Sequence, residues 1–126
     1  LQETMQSLVG IVRRGNEMEE ALEKLAQLKK RADRVAVTGH REFNPGWHTA
    51  LDLSNLFTVA EAITRSALER KESRGAQFRI DYTSKEAEWG KMNVATCKGP
   101  DGQMQVKRLP IPDMPAELDA IIKEMG

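Results

Sequence analysis

Residues 69–82 read ERKESRGAQFRIDY, and they set the densest group of chemistry-bearing side chains in the chain. Arg70, Lys71, Arg74 and Arg79 alternate there with Glu69, Glu72 and Asp81. Carboxylates at such spacing could form an acid–base pair. Each has a cation beside it in sequence, so ion pairing is the simpler chemistry, helped by the i, i+4 pairs Arg65–Glu69 and Glu69–Ser73 on a helix. No set of nucleophile, base and orienting group stands anywhere in the sequence. His40, His48 and Cys97 have no metal-ligand spacing and read as a linker histidine, a helix-start histidine and a bystander thiol. Gly99, Pro100 and Gly102 form a turn rather than a phosphate loop, because no helix follows directly. Trp47 and Trp89 read as packing anchors with a polar tip.

The elements that must hold this segment are legible from periodicity. Leu1, Met5, Leu8, Val9 and Val12 share one face of a helix expected over residues 1–14. Gly15-Asn16 breaks it, and Asn16 is expected to cap a second helix over about residues 17–37. That helix carries Met18, Leu22, Leu25, Leu28, Ala32 and Val35 on one side, acids in its first turns and Lys29, Lys30, Arg31 and Arg34 toward its end. Gly39, Pro45 and Gly46 punctuate a connection at 38–46. A third helix is expected from Trp47 to Arg74, with small residues at its centre. Gly75 would stop it in a C′ position, and Arg70, Lys71 and Arg74 would then meet its dipole, each worth roughly 0.3–1 kcal/mol if exposed.

Beyond Gly75, FRIDY is extended. Two strands joined at KGPDG follow, with Asp101-Gly102 as the turn. A short terminal helix then has Pro115 in its first turn. The expected architecture is mainly α: an antiparallel three-helix bundle over residues 1–75 with a small αβ appendage over 76–126.

Composition bounds the function. The 126 residues suffice for one domain with a modest core. Lys+Arg and Asp+Glu are both 19, giving a net charge of zero, so the basic excess of a nucleic-acid binder is missing. No apolar run approaches the roughly 20 residues of a membrane span. The single Cys97 allows no internal disulfide, which fits a reducing compartment. The chain opens on Leu1, already in a helical pattern and with no leader-like stretch, as a processed or partial chain would.

RSALERKESRGAQFRIDY resembles the R-ESRGAH-R-DYP signature of the succinate dehydrogenase and fumarate reductase flavoprotein subunits. LQETMQSLVGIVR is similar to that family's LQ-TM---VGI-R opening of its C-terminal domain. ALEKLAQLKKR and NPGWHTALDLSNLFTVAEAITRSALERKESRG resemble its second and third helices. The likeness covers roughly residues 1–90. L-Aspartate oxidase, with a similar bundle, is a competing relative, and a stand-alone helical interaction module is the reading from a different class.

The resemblance implies an up-and-down, spectrin-repeat-like three-helix bundle. It also implies a parent enzyme that interconverts succinate and fumarate with FAD, passing electrons to an iron–sulfur subunit and on to quinone. The chain would then sit peripherally on the cytoplasmic, or mitochondrial-matrix-equivalent, face of a membrane. Its partners would be the flavin and capping domains of its own subunit, the iron–sulfur subunit and, indirectly, the membrane anchor. The family's flavin and substrate residues lie in those other domains, so no catalytic, cofactor-binding or metal residue carries over to this chain.

Two departures stand out: Gln77 replaces the signature's histidine, and Ile80 and Thr83 replace residues around its DYP ending. Glutamine keeps a donor and an acceptor but does not titrate, so only a hydrogen-bonding role carries over. Arg70, Ser73, Arg74, Gly75, Gln77, Arg79 and Asp81 are expected to form a docking corner. In it, Arg74 and Arg79 would fork onto carboxylates or carbonyls of a neighbouring domain or subunit.

Overall fold

The computed structural model describes residues 1–125. Its elements in chain order are α1 (Gln2–Leu8), β1 (Val12–Arg13), α2 (Gly15–Ala32), α3 (Pro45–Glu69) and β2 (Phe78–Arg79). A 3-10 turn (Trp89–Lys91), β3 (Met92–Lys98), β4 (Met104–Pro110) and α4 (Ala116–Met125) complete them. The fold is mainly helical with two small sheets.

Apolar periodicity builds the core between α2 and α3. Met18 and Ala21 of α2 cluster with Val9 and with Ala67 of α3, while Leu25 clusters with Phe57 and Ala60. Residue numbers rise along α2 as they fall along α3, so the two helices run antiparallel. The small residues Ala21, Ala60 and Ala67 let them pack closely. Leu1 and Met5 join the cluster around Leu25, and Leu8 joins the one around Met18, so α1 also runs antiparallel to α2.

Several expected boundaries move. The first helix stops at Leu8, and the chain turns away at Gly10, where an added Cβ would come within 2.8 Å of the Gln6 carbonyl oxygen, so the turn as built needs glycine. Val12 therefore leaves the helix and pairs with Phe78, and Arg13 with Arg79, in a short parallel ladder. α2 begins at Gly15 with Arg14 as N-cap, so Asn16 lies inside the helix. It ends at Ala32 rather than near residue 37. α3 starts two residues early at Pro45, where the Asn44 side chain accepts the Gly46 N–H at 3.0 Å.

α3 ends at Glu69, five residues before the expected stop, and its last turn holds no basic residue. Gly75 lies beyond it at φ +60°, the first central residue of a two-residue turn closed by reciprocal Arg74–Gln77 backbone hydrogen bonds. Ala76 has no positive φ, so the turn is of type II′.

The hairpin forms as its turn residues predict. β3 and β4 pair antiparallel with Lys98 opposite Met104, and Gly102 takes φ +78° in the loop. Pro115 stands just before α4, its carbonyl accepting the Leu118 and Asp119 N–H groups. The Arg108–Glu69 ion pair at 2.6 Å ties β4 to the end of α3, so Glu69 is spent on the hairpin rather than on Arg65, which pairs with Glu61.

Candidate functional site: a charged corner that caps three helix ends

Helix ends leave backbone groups without partners, and three such ends meet around residues 70–82. Arg79 is the centre of the corner, with 2% of its surface exposed. Its Nη1 donates to the carbonyls of Ala67 (2.9 Å), Leu68 (3.1 Å) and Arg70 (3.4 Å), the orphan acceptors at the end of α3. Its Nε and Nη2 fork onto Asp81 at 2.7 and 2.6 Å. The Asp81 carboxylate in turn accepts the Gly15 N–H at 3.0 Å, the first amide of α2. One ion pair therefore sets its cation against the negative end of α3 and its anion against the positive end of α2, the favourable sense for both dipoles. Arg79 and the Gly15 amide hold the Asp81 carboxyl at about 2, against the partial burial that opposes ionisation.

Gln77 and Arg13 complete the capping. Gln77 Nε2 donates to the Ala67 and Arg70 carbonyls at 3.1 and 3.2 Å, while its Oε1 accepts Arg13 Nη1 at 2.7 Å. Arg13 Nε reaches back to the Gly10 and Val9 carbonyls at 2.9 and 3.3 Å, closing the end of α1. Ser73 pins the loop: its Oγ accepts the Arg79 N–H at 2.9 Å and donates to the Tyr82 carbonyl at 2.8 Å. The Arg79 guanidinium also lies 5.0 Å from the Tyr82 ring centre.

Glu72 is the second centre and is wholly buried. Arg74 Nε donates to its Oε1 at 2.8 Å, Arg70 pairs with the same oxygen, and the Glu86 N–H donates to Oε2 at 2.9 Å. The Arg74 hydrogen bond leads in holding this carboxyl at about 2; burial pushes the other way, and the Glu86 amide and Arg70 add to the lowering. The same bond pushes the Arg74 guanidinium up. Arg70 also donates to the Trp89 and Met92 carbonyls at 3.2 and 3.1 Å, which fixes the base of the hairpin. The Trp89 ring lies near two guanidinium groups, Arg70 at 5.4 Å and Arg108 at 4.5 Å from its centre.

All seven residues expected at the corner are thus found together, and their principal bonds lie within the chain. Arg70, Gln77 and Arg79 turn their polar groups inward to carbonyls, while Arg74 keeps 39% of its side chain exposed. Gly75 faces open space, with no atom within 4 Å of a Cβ built on it, and its glycine is required by φ alone. Sequence reasoning missed Arg13, Glu86 and Gly15. A signal for Arg13 was present, since it closes the VGI-R run just ahead of a helix start. The Glu86 and Gly15 contributions come from backbone amides and carry no side-chain signal.

The corner orients and restrains; it holds no nucleophile beside a base. Gly99 and Gly102 close a turn between antiparallel strands, and among the described residues no strand–glycine turn–helix unit of the dinucleotide-binding kind is found. Among the described residues no three His, Cys, Asp or Glu side chains converge as a metal site would need.

The fold and the corner define a mainly helical domain braced by an internal cluster of charges. The chain belongs to the fumarate reductase flavoprotein C-terminal family, whose pattern it matches over residues 1–121. It is 34% identical over 112 residues to the fumarate reductase flavoprotein subunit of Mycobacterium tuberculosis, covering 88% of this chain and 19% of that one. It is 38% identical over 96 residues to the succinate dehydrogenase flavoprotein subunit of Coxiella burnetii, covering 75% and 16%. The Mycobacterium smegmatis Sdh1 structure in complex with UQ1 superposes with a TM-score of 0.82 at 36% identity, over 97% of this chain and 21% of that one. The chain therefore spans about a fifth or less of the length of these relatives.

Proposed function

We propose that the chain is the C-terminal domain of the flavoprotein subunit of a succinate dehydrogenase or fumarate reductase, acting as brace and docking surface rather than as reaction centre. The observation that carries this is the family match over nearly the whole chain, joined to a corner whose ion pair and side-chain hydrogen bonds tie three helix ends together. In this reading α1, α2 and α3 are the three members of an up-and-down, spectrin-repeat-like bundle, with the first reduced to two turns. The helical body takes residues 1–75 and the appendage 76–126, with β2 stitched back onto β1. The parent subunit binds FAD outside these residues and interconverts succinate and fumarate. It exchanges electrons with an iron–sulfur subunit and, through it, with quinone. No described helix is long and apolar enough to cross a membrane. In this reading the subunit meets a membrane through its partner subunits.

The corner's part is to make the domain rigid. Its exposed groups, with Arg74 foremost among the seven, then present a fixed geometry to the flavin and capping domains and to the iron–sulfur subunit. The test is made on the full-length polypeptide. It is expected to purify with bound flavin, to reduce an artificial electron acceptor with succinate or oxidise a reduced one with fumarate, and to bring down an iron–sulfur subunit. Loss of residues 1–126 should lower flavin retention and subunit recovery. A protein without flavin, or one indifferent to both dicarboxylates, would rule the reading out.

A further inference from the structure

The charges of the corner do not balance. Arg13, Arg70, Arg74 and Arg79 face only Glu72 and Asp81, because Glu69 is taken by Arg108. Three of these arginines, Arg13, Arg70 and Arg74, line one open cavity of about 470 Å³, and no carboxylate lines it with them. Among the described residues Arg13 has no carboxylate within 4 Å, and neither its Nη2 nor Arg74 Nη1 makes a hydrogen bond. Burial and the neighbouring Arg79 both work against the Arg13 charge. A half-buried cation without an anion is costly, and an anion placed in the cavity relieves it.

We propose that this cavity is a carboxylate-binding site, filled by an acidic side chain from the part of the same polypeptide that lies outside these 126 residues; this rests on the parent reading above. Two observations favour a protein carboxylate over a small free acid. Ile63 lines the cavity, and Val59 and Leu56 extend the same line along α3 at helical spacing, all three exposed at 44%, 55% and 46%. An apolar strip leading into a cationic pocket suits a folded surface bearing one acid, with the strip supplying area and the arginines supplying register. The relatives also place about four fifths of their length outside the region matched here.

The experiment uses the full-length polypeptide with Asn93→Lys, which puts an amine at the lip of the cavity without removing a hydrogen bond, and Ser66→Lys as an independent second position. A water-soluble carbodiimide then joins any adjacent carboxylate to the new amine, and peptide mass spectrometry reads the partner. The expected product links position 93 or 66 to an Asp or Glu outside residues 1–126 of the same chain. Adding Arg13→Glu should cut its yield on the order of tenfold, since like charges facing each other are repelled. Links only to carboxylates within residues 1–126, to a second copy or to another subunit would overturn the proposal, as would none at either position. Flavin content and turnover of the unaltered protein are read alongside. An active, flavin-bound protein lacking the link sinks the pocket alone, whereas an inactive, flavin-free one sinks the parent reading.

Discussion

Glu72 is ionised although its side chain is wholly out of water, and the two facts are reconciled only by Arg70, Arg74 and the Glu86 amide. Its folded-state value of about 2 lies below the ordinary 4.5, as that of Asp81 lies below 3.8. Between those values the unfolded chain binds protons that the folded chain refuses. The stabilisation these carboxylates give is therefore complete above about pH 4.5 and is lost progressively as pH falls toward 2. Urea midpoints measured across that range should drop steeply for the native chain. The drop should be shallower for Glu72→Gln, which begins from a lower plateau by about 1–3 kcal/mol, because the two arginines it leaves are partly exposed and glutamine still offers them an acceptor. An acid limb unchanged by the substitution would show that Glu72 does not carry it.

Gln77 offers the complementary case. It donates to two carbonyls and accepts from Arg13 at once, which a neutral histidine reproduces in part and an imidazolium cannot, having no acceptor left. In Gln77→His the nearby Arg13 and Arg79 should hold the imidazole below its free value of about 6.5. Stability should then be fully present above that pH and decline below it, where the native chain shows no such step. A histidine resonance titrating at or above its free value would count against this geometry.

At the level of elements, the apolar face of α2 was legible because burial at period 3.6 writes itself directly into residue type, and Met18 and Leu25 stand in the core as their spacing requires. On α3 the reading was only partly right: Ala60 and Ala67 are buried, but Leu51, Leu56, Val59 and Ile63 stand exposed, and Phe57 fills the core beside Leu25 instead. The hairpin was equally legible from Asp101-Gly102. The end of α3 was not, because Gly75 imitates a helix stop. The stop is made instead by Arg79 and Gln77 reaching back across 7 to 12 residues to carbonyls, and no local pattern encodes that reach. The first helix was overextended for a similar reason: Val12 continues its apolar face, yet the ladder to Phe78 claims it. The corner residues were gathered correctly by their density in ERKESRGAQFRIDY, but their inward orientation depends on helix ends that come from three separate segments.

Gly75 tests this distinction. A helix-capping glycine and a turn glycine both need positive φ, but here nothing lies within 4 Å of an added Cβ. Gly75→Ala should cost about 1–2 kcal/mol from the positive φ alone, and Gly75→Asn less, because asparagine is the better tolerated of the two at the first central position of such a turn. Chemical denaturation of the two variants gives the comparison. Equal losses would mean that a packing contact rather than φ fixes the residue.

At the scale of the whole molecule, exposed apolar side chains fall in rows on two helices. Leu51, Leu56, Val59 and Ile63 are exposed along α3, and Leu118, Ile121, Ile122 and Met125 are exposed on α4. α4 buries none of its residues. On the proposed parent reading such faces would lie under the remainder of a larger protein, in keeping with a chain that matches a fifth or less of its relatives. Detached, they should find each other. The 126-residue chain alone is expected to self-associate, its weight-average mass in sedimentation rising with concentration. Val59→Ser with Ile63→Ser should reduce that rise while lowering unfolding free energy by no more than about 2 kcal/mol, because both side chains are only about half covered. Salt separates the two contributions at this surface. Association through the apolar strip should persist or strengthen at high ionic strength, whereas contacts made by the arginine-lined cavity should weaken as screening grows. A chain that stays monomeric at high concentration in both low and high salt would show that these faces do not need covering.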